Sequence, residues 1–255
     1  MFDDGYSNYP TLEKLITLKI QLPINKDGEI DFEFMESFVA ELEAERVAEL
    51  EAYLAAASLK DYELTTTELS ALNQFPNLTW GEFKISDLFK VNSSKKRFDA
   101  NKIQILNDGY PYIVRTALNN GVKGYLKENP EFLNDGNTIS FGQDTATIFY
   151  QEKPYFTGDK IKILKPLNKH FSKSNSMFFI ASINQAFQTF SWGSKFDIKI
   201  INNSKIQFPI NSAGEIDFEF MNDFIKAIEK LVIKDVVIYA ERKIQATKGV
   251  ISSNI

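Results

Sequence analysis

The chain contains no cysteine, which excludes disulfide bonds and thiolate metal sites and suits a reducing cytoplasm. Its only histidine is His170, whereas catalytic zinc or iron sites usually require several His or Cys ligands. No run of about 18 apolar residues is present, so the sequence predicts no transmembrane helix. The N-terminal stretch MFDDGYSNYP is acidic and lacks the apolar region of a secretory signal. We therefore expect a cytoplasmic chain without a metal site.

The motifs that usually carry catalysis or nucleotide binding are missing as well. The sequence contains neither the phosphate-binding pattern GxxxxGK[ST] nor the dinucleotide-binding pattern GxGxxG. The tetrapeptide KPYF at 153–156 lacks the first amide or acid and the second proline that are typical of methyltransferases acting on base amino groups. Asp197 and Lys199 form only an isolated fragment of a nuclease-like carboxylate site. We expect no catalytic residue and no enzyme activity; the alternative is an enzyme with an unrecognised carboxylate site.

The charges of the chain are segregated along its length. Residues 1–79 carry 5 Lys and Arg against 16 Asp and Glu, residues 80–210 carry 18 against 11, and residues 211–255 carry 6 against 7. A basic segment is what binding to nucleic acid requires, because basic side chains release counterions from the phosphates. The alternative explanation is a chance imbalance on a solvated surface.

One motif occurs twice, once near each end. KIQLPINKDGEIDFEFM at 19–35 and KIQFPINSAGEIDFEFM at 205–221 share 14 of 17 residues at an offset of 186. Each copy reads as a short apolar strand, then a turn with Gly at the position of unusual φ, then the acidic start of a long helix. The sequence therefore predicts the same strand–turn–helix unit at both ends.

The two long helices, predicted at 31–59 and 217–248 with a stop at Gly249, each carry an apolar stripe at helical spacing. Two matching stripes favour an antiparallel or coiled-coil pair, whereas the alternative is that each helix packs on its own neighbouring sheet. The residues expected to line the pairing surface are Met35, Phe38, Leu42, Leu50, Met221, Phe224, Ile228 and Val232.

The middle of the chain alternates aromatic and β-branched residues with Gly, Asn and Asp turns, which indicates an α+β domain rich in loops. Strands are predicted at 82–85, 112–114, 138–141, 147–150, 160–164 and 196–199. Helices are predicted at 67–72 and 175–189.

Basic and amide side chains in this middle segment gather at the predicted turns. Arg and Lys can bind guanine edges, Asn and Gln can bind adenine edges, and Lys, Ser and Thr also bind phosphates. A single Asn is better explained as a turn former, so only the group as a whole is indicative. The candidate DNA-binding residues are Lys95, Lys96, Arg97, Arg115, Thr116, Asn119, Asn120, Lys123, Gln143, Asp144, Thr145, Lys153, Thr157, Lys160, Trp192, Ser194 and Lys195.

A family resemblance rests on three stretches and the long helix that follows them. GYPYIVRTALNNGVKG at 109–124, NDGNTISFGQDTATIFYQEKPYFTGDKIKIL at 134–164 and FSWGSKFDIKIINNSKIQFPI at 190–210 resemble the specificity subunits of type I restriction–modification systems. The resemblance is closest to the branch that serves fused restriction–methylation enzymes. It implies a non-catalytic subunit that binds half of a bipartite site in double-stranded DNA and docks methyltransferase and restriction subunits. It also implies that S-adenosylmethionine binds only to the partner subunit.

The resemblance assigns a role to each part of the chain. We expect one mixed, loop-rich target recognition domain at 80–210, flanked by two helices that pair as an antiparallel coiled coil. Residues 31–59 are the first spacer helix, 60–79 a linker, and 211–255 the second spacer helix with its turn. Residues 1–30 correspond to the last strand and turn of an upstream recognition domain.

The chain departs from the family in having one recognition domain where a full-length member has two. It is either a half-length subunit that restores two domains as a homodimer, or a truncated or recombined fragment. The alternative function is a structural adaptor or regulatory fragment that assembles the complex without reading DNA.

Overall fold

The computed structural model describes residues 11–188 and 197–253. Within these ranges the α-helices are α1 (Leu12–Thr17), α2 (Phe32–Ala56), α3 (Thr66–Gln74), α4 (Ile85–Leu88), α5 (Lys173–Phe187), α6 (Ile198–Asn203) and α7 (Phe218–Ser253). The β-strands are β1 (Trp80–Lys84), β2 (Phe89–Ser93), β3 (Tyr110–Ile113), β4 (Val122–Leu126), β5 (Thr138–Gly142), β6 (Ile148–Gln151), β7 (Phe156–Thr157), β8 (Ile161–Pro166) and β9 (Lys205–Pro209). The expected α+β class is confirmed.

The chain divides into two compact units. The middle unit, Glu63–Val232, contains α3 to α6, the strands β1 to β9 and the first part of α7. The helical unit contains α1, α2 and the remainder of α7.

The middle unit contains three small sheets. The largest has the order β2-β8-β5-β6 and is antiparallel throughout. A second has the order β4-β3-β7, in which β3 is antiparallel to β4 and parallel to β7. The third joins β1 to β9, antiparallel, with Trp80 opposite Pro209 and Lys84 opposite Lys205. The sheet structure is therefore mixed, as expected.

Aromatic side chains fill the main core of the middle unit. The ring of Phe179 on α5 lies 4.5 Å from that of Phe208 on β9 and 5.5 Å from that of Phe89 on β2. All three side chains are buried. The second copy of the repeat thus contributes its strand directly to this core.

The two copies of the repeat form the same turn. The side chain of Asn25 accepts hydrogen bonds from the backbone N–H groups of Asp27 and Glu29, and that of Asn211 accepts from Ala213 and Glu215. The glycines of the two turns have φ angles of 81° and 79°. These contacts lie within a few residues of one another, so local sequence alone is sufficient to form the turn.

The start of the following helix is also the same in both copies. The carboxylate of Asp31 accepts a hydrogen bond from the Phe34 N–H, and that of Asp217 accepts from the Phe220 N–H, each at 2.9 Å. Aspartate is a favoured N-cap because it satisfies one of the backbone donors that a helix start leaves free.

The strand of the repeat forms only in the second copy, which corrects the expectation of a strand at both ends. Residues 205–209 form β9 by pairing with β1, whereas residues 19–23 have no strand assignment. A strand needs a neighbour for its backbone donors and acceptors. Among the described residues, the first copy has no such neighbour beyond the single bridge between Ile24 and Ile30.

In the helical unit, α2 contacts the later part of α7. Leu54, Val237 and Ala240 form a buried apolar cluster. Farther along, the Lys243 ammonium donates to the Glu43 carboxylate at 2.7 Å. The earlier residue of α2 meets the later residue of α7, so these segments run in opposite directions.

The contacts of the long helices require a correction to the predicted pairing surface. Met221 is fully buried in the main core of the middle unit, and the ring of Phe224 stacks on Phe75 at 4.5 Å. Met221 and Phe224 therefore pack the start of α7 against the core of the middle unit and do not face α2 as predicted. Of the predicted residues, Leu50 packs against the Leu54 cluster, whereas Met35 is half-buried. The remaining predicted residues, all with exposed side chains, are Phe38, Leu42, Ile228 and Val232.

Several element boundaries also differ from the prediction. The strand expected at 196–199 is instead the start of α6, because the Asp197 carboxylate caps the helix by accepting from the Ile200 N–H at 2.8 Å. The first spacer helix ends at Ala56, since Ser58 adopts a φ of 57° and the Leu59 N–H donates to the Leu54 carbonyl. The second continues past Gly249, where a glycine costs a helix only about 1 kcal/mol.

Three strands were not predicted: β2, β4 and β7. β2 and β4 each contain polar residues or glycine and are ordered by pairing with β8 and β3, and the two-residue β7 pairs with β3. Phe196, which was included in a predicted strand, lies outside the described residues.

Two further expectations can be compared with the part of the chain that the structure describes. No helix there is long and apolar enough to cross a membrane. In the same residues, no group of three or more His, Asp or Glu side chains is placed to hold a metal ion.

Candidate nucleic-acid interface

Three turns of the middle unit bring two cations onto one carboxylate. Arg115 follows β3, Asp144 lies in the turn between β5 and β6, and Lys160 immediately precedes β8. The Arg115 guanidinium donates to Oδ2 of Asp144, and the Lys160 ammonium donates to the same oxygen at 2.7 Å. We call these three residues the Asp144 cluster. Their side chains are about a third to a half exposed, so the cluster remains accessible from solvent.

The backbone around the cluster is packed closely. The Gln143 N–H donates to the Lys160 carbonyl at 3.0 Å, which joins two of the turns. A Cβ atom on Gly142 would lie 2.5 Å from Oγ1 of Thr147 and 3.3 Å from Cγ of Arg115. A side chain at position 142 would therefore require Thr147 to move, and glycine avoids this crowding beside the Asp144 cluster.

Backbone strain is concentrated in the same place. Asn119, Asn120, Ala146 and Lys160 all have φ between 47° and 56°. Asn tolerates this left-handed region, whereas for Ala and Lys it is unfavourable. Such strain persists where surrounding contacts hold it, and it often marks functional sites. Lys160 belongs to the Asp144 cluster and Ala146 follows Asp144 on another turn, so this region is the best structural candidate for a binding site.

A buried glutamine supports the turn at 119–121. The Gln151 side-chain amide donates to the Asn120 carbonyl at 3.2 Å and to Oγ of Ser140 at 3.0 Å. Gln151 is almost fully buried in β6. It fixes the Asn turn relative to the sheet. Sequence reasoning missed this residue, and its only signal was an amide at the end of a predicted strand.

Arg97, the last residue of the basic stretch at 95–97, lies beside the segment that leads to Lys160. The Arg97 guanidinium donates to the Asp159 carboxylate at 3.0 Å, and residue 97 bridges to Thr157 next to it. The Lys96 ammonium lies 4.7 Å and 4.3 Å from the ring centroids of Phe98 and Phe132, where the ring faces attract it. Asp159 was not predicted. It pairs with Arg97 and directly precedes Lys160 in the sequence, so it links Arg97 to the Asp144 cluster.

Several of the remaining polar candidates near the cluster already form hydrogen bonds within the protein. The Thr116 hydroxyl accepts from the Leu118 N–H at 3.2 Å, and the Asn119 amide donates to the Val122 carbonyl at 3.3 Å. The hydroxyls of Thr145 and Thr147 lie 2.9 Å apart. These contacts shape the turns, while the side chains of Asn120 and Lys123 are exposed.

Some predicted residues are not brought to this region. Thr157 is fully buried and its hydroxyl donates to the Lys96 carbonyl, so its predicted contact with DNA is corrected to a structural role. Lys153 lies at the opposite end of the β5–β6 hairpin from Asp144, about 13 Å away along the strands. The Lys95 N–H donates to the Asn134 side chain at 3.1 Å, nearer that opposite end. Three predicted residues lie outside the described ones: Trp192, Ser194 and Lys195.

The electrostatics of the cluster keep Asp144 ionised. The hydrogen bond from Lys160 lowers the pKa of Asp144 below its ordinary value, and Arg115 adds to this effect, although partial burial opposes it. A carboxylate that stays charged retains both cations. In the free chain the cluster therefore carries a net charge of about +1 from three charged groups.

The sequence matches a known protein family over residues 77–237, the one described as Type I restriction modification DNA specificity domain. The type II restriction enzyme BgcI specificity subunit S.BcgI of Heyndrickxia coagulans is 26% identical over 237 residues. This alignment covers 91% of the present chain and 64% of S.BcgI, so the chain spans less than two thirds of that relative's length.

Similar solved structures include two specificity subunits. A type I S subunit from M. genitalium has a TM-score of 0.47 and 14% identity, covering 85% of this chain and 57% of that one. The HsdS subunit from Thermoanaerobacter tengcongensis has a TM-score of 0.44 and 13% identity, covering 80% of this chain and 50% of that one. Because the family match covers more than half of the sequence, the protein belongs to the type I restriction–modification DNA specificity domain family.

Proposed function

We propose that the middle domain, residues 80–210, binds one half of a bipartite site in double-stranded DNA. The observation that carries this proposal is the Asp144 cluster, where two cations and a carboxylate are held together by turns with left-handed residues. Arg can bind a guanine edge through two donors, and the surrounding Lys side chains can bind phosphates. The excess of basic residues in this segment supplies the attraction to DNA that does not depend on sequence.

The two long helices are proposed to pair as an antiparallel coiled coil that sets the distance between half-sites and docks methyltransferase and restriction subunits. Support comes from the Leu54, Val237 and Ala240 cluster and from the ion pair between Glu43 and Lys243. The acidic character of α2 also favours a protein partner over DNA. S-adenosylmethionine would bind to the methyltransferase partner, and the complex would act in the cytoplasm.

The first repeat is proposed to receive a second recognition domain, supplied in a homodimer or by a longer form of the chain. In the second repeat, Ile206, Phe208 and Met221 are buried against the middle domain. At the matching positions of the first repeat, Ile20 and Leu22 are exposed and Met35 is only half-buried. Among the described residues, only the second repeat has a domain that covers it, so nearly identical sequences differ in burial, and this is the basis of the proposal.

Replacing Arg115 or Lys123 with Ala tests the DNA-binding surface. We expect Arg115→Ala to weaken duplex binding about tenfold, because a bidentate contact to a base is worth about 1–3 kcal/mol. Lys123→Ala should weaken binding to all duplexes and reduce the dependence of log Kd on log salt by about one unit. The matched control, Glu45→Ala on exposed α2, should bind as the unaltered chain does. The measurement is a fluorescence titration at two salt concentrations, with duplexes that the unaltered chain selects from a random pool for Arg115→Ala and with an unrelated duplex for Lys123→Ala.

Two outcomes would contradict the proposal. Equal effects of the Arg115 and Glu45 substitutions would show that the surface is assigned wrongly. No detectable binding to any duplex, with or without a methyltransferase partner, would instead favour the adaptor that assembles a complex without reading DNA.

A further inference from the structure

Asp144 has an unusual position for a residue at a surface that binds DNA. Its carboxylate lies between Arg115 and Lys160, two of the cations that would attract phosphates, and it bonds to both. A carboxylate repels a phosphate, so its presence lowers general affinity for DNA. A residue that opposes general binding at the centre of the surface needs another role.

The donors of Arg115 suggest what that role is. A guanidinium has five N–H donors in a planar fork, and the bond to Asp144 uses Nη1. The remaining donors are sufficient for the two acceptors that guanine presents in the major groove, O6 and N7. A half-buried carboxylate that holds one side of the fork reduces the freedom of Arg115 before DNA arrives. Binding then costs less conformational entropy.

Asp159 provides a comparison within the same surface. It pairs with Arg97 at 3.0 Å, but that arginine side chain is 75% exposed, compared with 30% for Arg115. Arg97 therefore has the freedom of an ordinary surface side chain, which suits contact with a phosphate. Arg115 is held by its hydrogen bond to Asp144 and is mostly shielded from solvent.

We propose that Asp144 is a positioning residue that determines specificity at one base pair, by holding Arg115 for a guanine edge while keeping phosphates away from the cluster. This inference rests on the proposed function of the middle domain. Asp144 thus lowers affinity for unrelated DNA and raises discrimination among sequences.

The test compares Asp144→Asn with Asp159→Asn and Arg115→Lys in the full chain. The chain selects duplexes from a pool with a random core, and sequencing gives the base preference at each position. We expect the unaltered chain to prefer G·C at one position more than elsewhere. Asp144→Asn and Arg115→Lys should each reduce that preference about tenfold at the same position, since both remove the fixed bidentate geometry. Asp159→Asn should retain it.

A second measurement separates positioning from simple charge. Affinity for a fixed unrelated duplex should rise several-fold for both Asp144→Asn and Asp159→Asn, because each removes one negative charge. Thermal unfolding of the three variants, with few buried contacts changed, should stay within a few degrees of the unaltered chain.

The outcomes distinguish this inference from the proposed function. If Asp144→Asn keeps the preference at every position, or loses it equally at all of them, Asp144 does not position Arg115 for one base. If Asp144→Asn does not fold, Arg115→Lys decides, and an unchanged preference in that variant overturns the inference. If the unaltered chain binds no duplex, the proposed function fails and the inference falls with it.

Discussion

Replacing Met221 with Ala should lower the free energy of unfolding by about 2–5 kcal/mol, because the side chain is fully buried in the main core and its loss leaves a cavity. Met221 lies in the first turns of α7, where Phe220 and Phe224 also face the middle domain. The helix cannot collapse into the space without moving these aromatic neighbours. Urea unfolding monitored by circular dichroism gives the measurement.

The matched control is Met35→Ala, which changes the same residue of the same repeat. Met35 is half-buried and its neighbour Phe38 is 54% exposed, so we expect a loss below about 1 kcal/mol. Equal losses for the two variants would show that the first repeat is already covered in solution, as in a homodimer. A small loss for Met221→Ala would instead contradict the packing of α7 against the middle domain.

Replacing Lys230 with Met should also be strongly destabilising, by about 3 kcal/mol, since it leaves a buried carboxylate without its cation. Lys230 on α7 lies 3.1 Å from the Glu68 carboxylate of α3, and the two side chains are 15% and 5% exposed. The same ammonium donates to the Glu63 carbonyl at 2.7 Å. This ion pair therefore joins α3 to α7 within the middle unit.

The control for Lys230→Met is the double variant Glu68→Gln with Lys230→Met. Glu68 also accepts a hydrogen bond from the Thr65 N–H at 2.8 Å, completing a capping box that glutamine can maintain. With both charges removed and the cap retained, the double variant should recover at least half of the lost stability. Additive losses, or a change below about 0.5 kcal/mol for Lys230→Met, would contradict a coupled buried pair.

The pH dependence of stability provides a second measure of the same pair. Burial favours the neutral form of Glu68, but the hydrogen bond from Thr65 and the ammonium of Lys230 outweigh it and hold the pKa of Glu68 below its ordinary value. A carboxyl with a lowered pKa in the folded state contributes stability above its unfolded pKa, and that stability is lost as pH falls through the folded pKa. The Lys230→Met variant should therefore lose less stability on acidification than the unaltered chain does.

Part of the candidate site was predictable from residue types alone. Arg115, Asp144 and Lys160 were selected because charged and amide residues occur at predicted turns, and the structure brings these three together. The same reasoning selected Thr157, which is buried, because turn composition does not reveal which side chains point into a core. Gln151 and Asp159 were missed because their roles come from residues distant in sequence.

The sequence by itself determined the features that depend on neighbouring residues. The repeated turn, its left-handed glycine and the aspartate cap appear in both copies, since their hydrogen bonds join residues at most four positions apart. The charge segregation and the family membership likewise follow from the amino-acid sequence without the structure.

Only the tertiary structure decided what each copy of the repeat does. Residues 205–209 become a strand because β1 supplies the partner for their backbone groups, and Phe220 and Met221 at the start of α7 are buried because they pack into the core of the middle unit. The first copy has nearly the same residues but no equivalent partner strand or covering domain among the described residues. Its strand therefore does not form, and its aromatic side chains stay exposed. Strand pairing and burial require surfaces that are distant in sequence, and a local pattern cannot specify whether they are present.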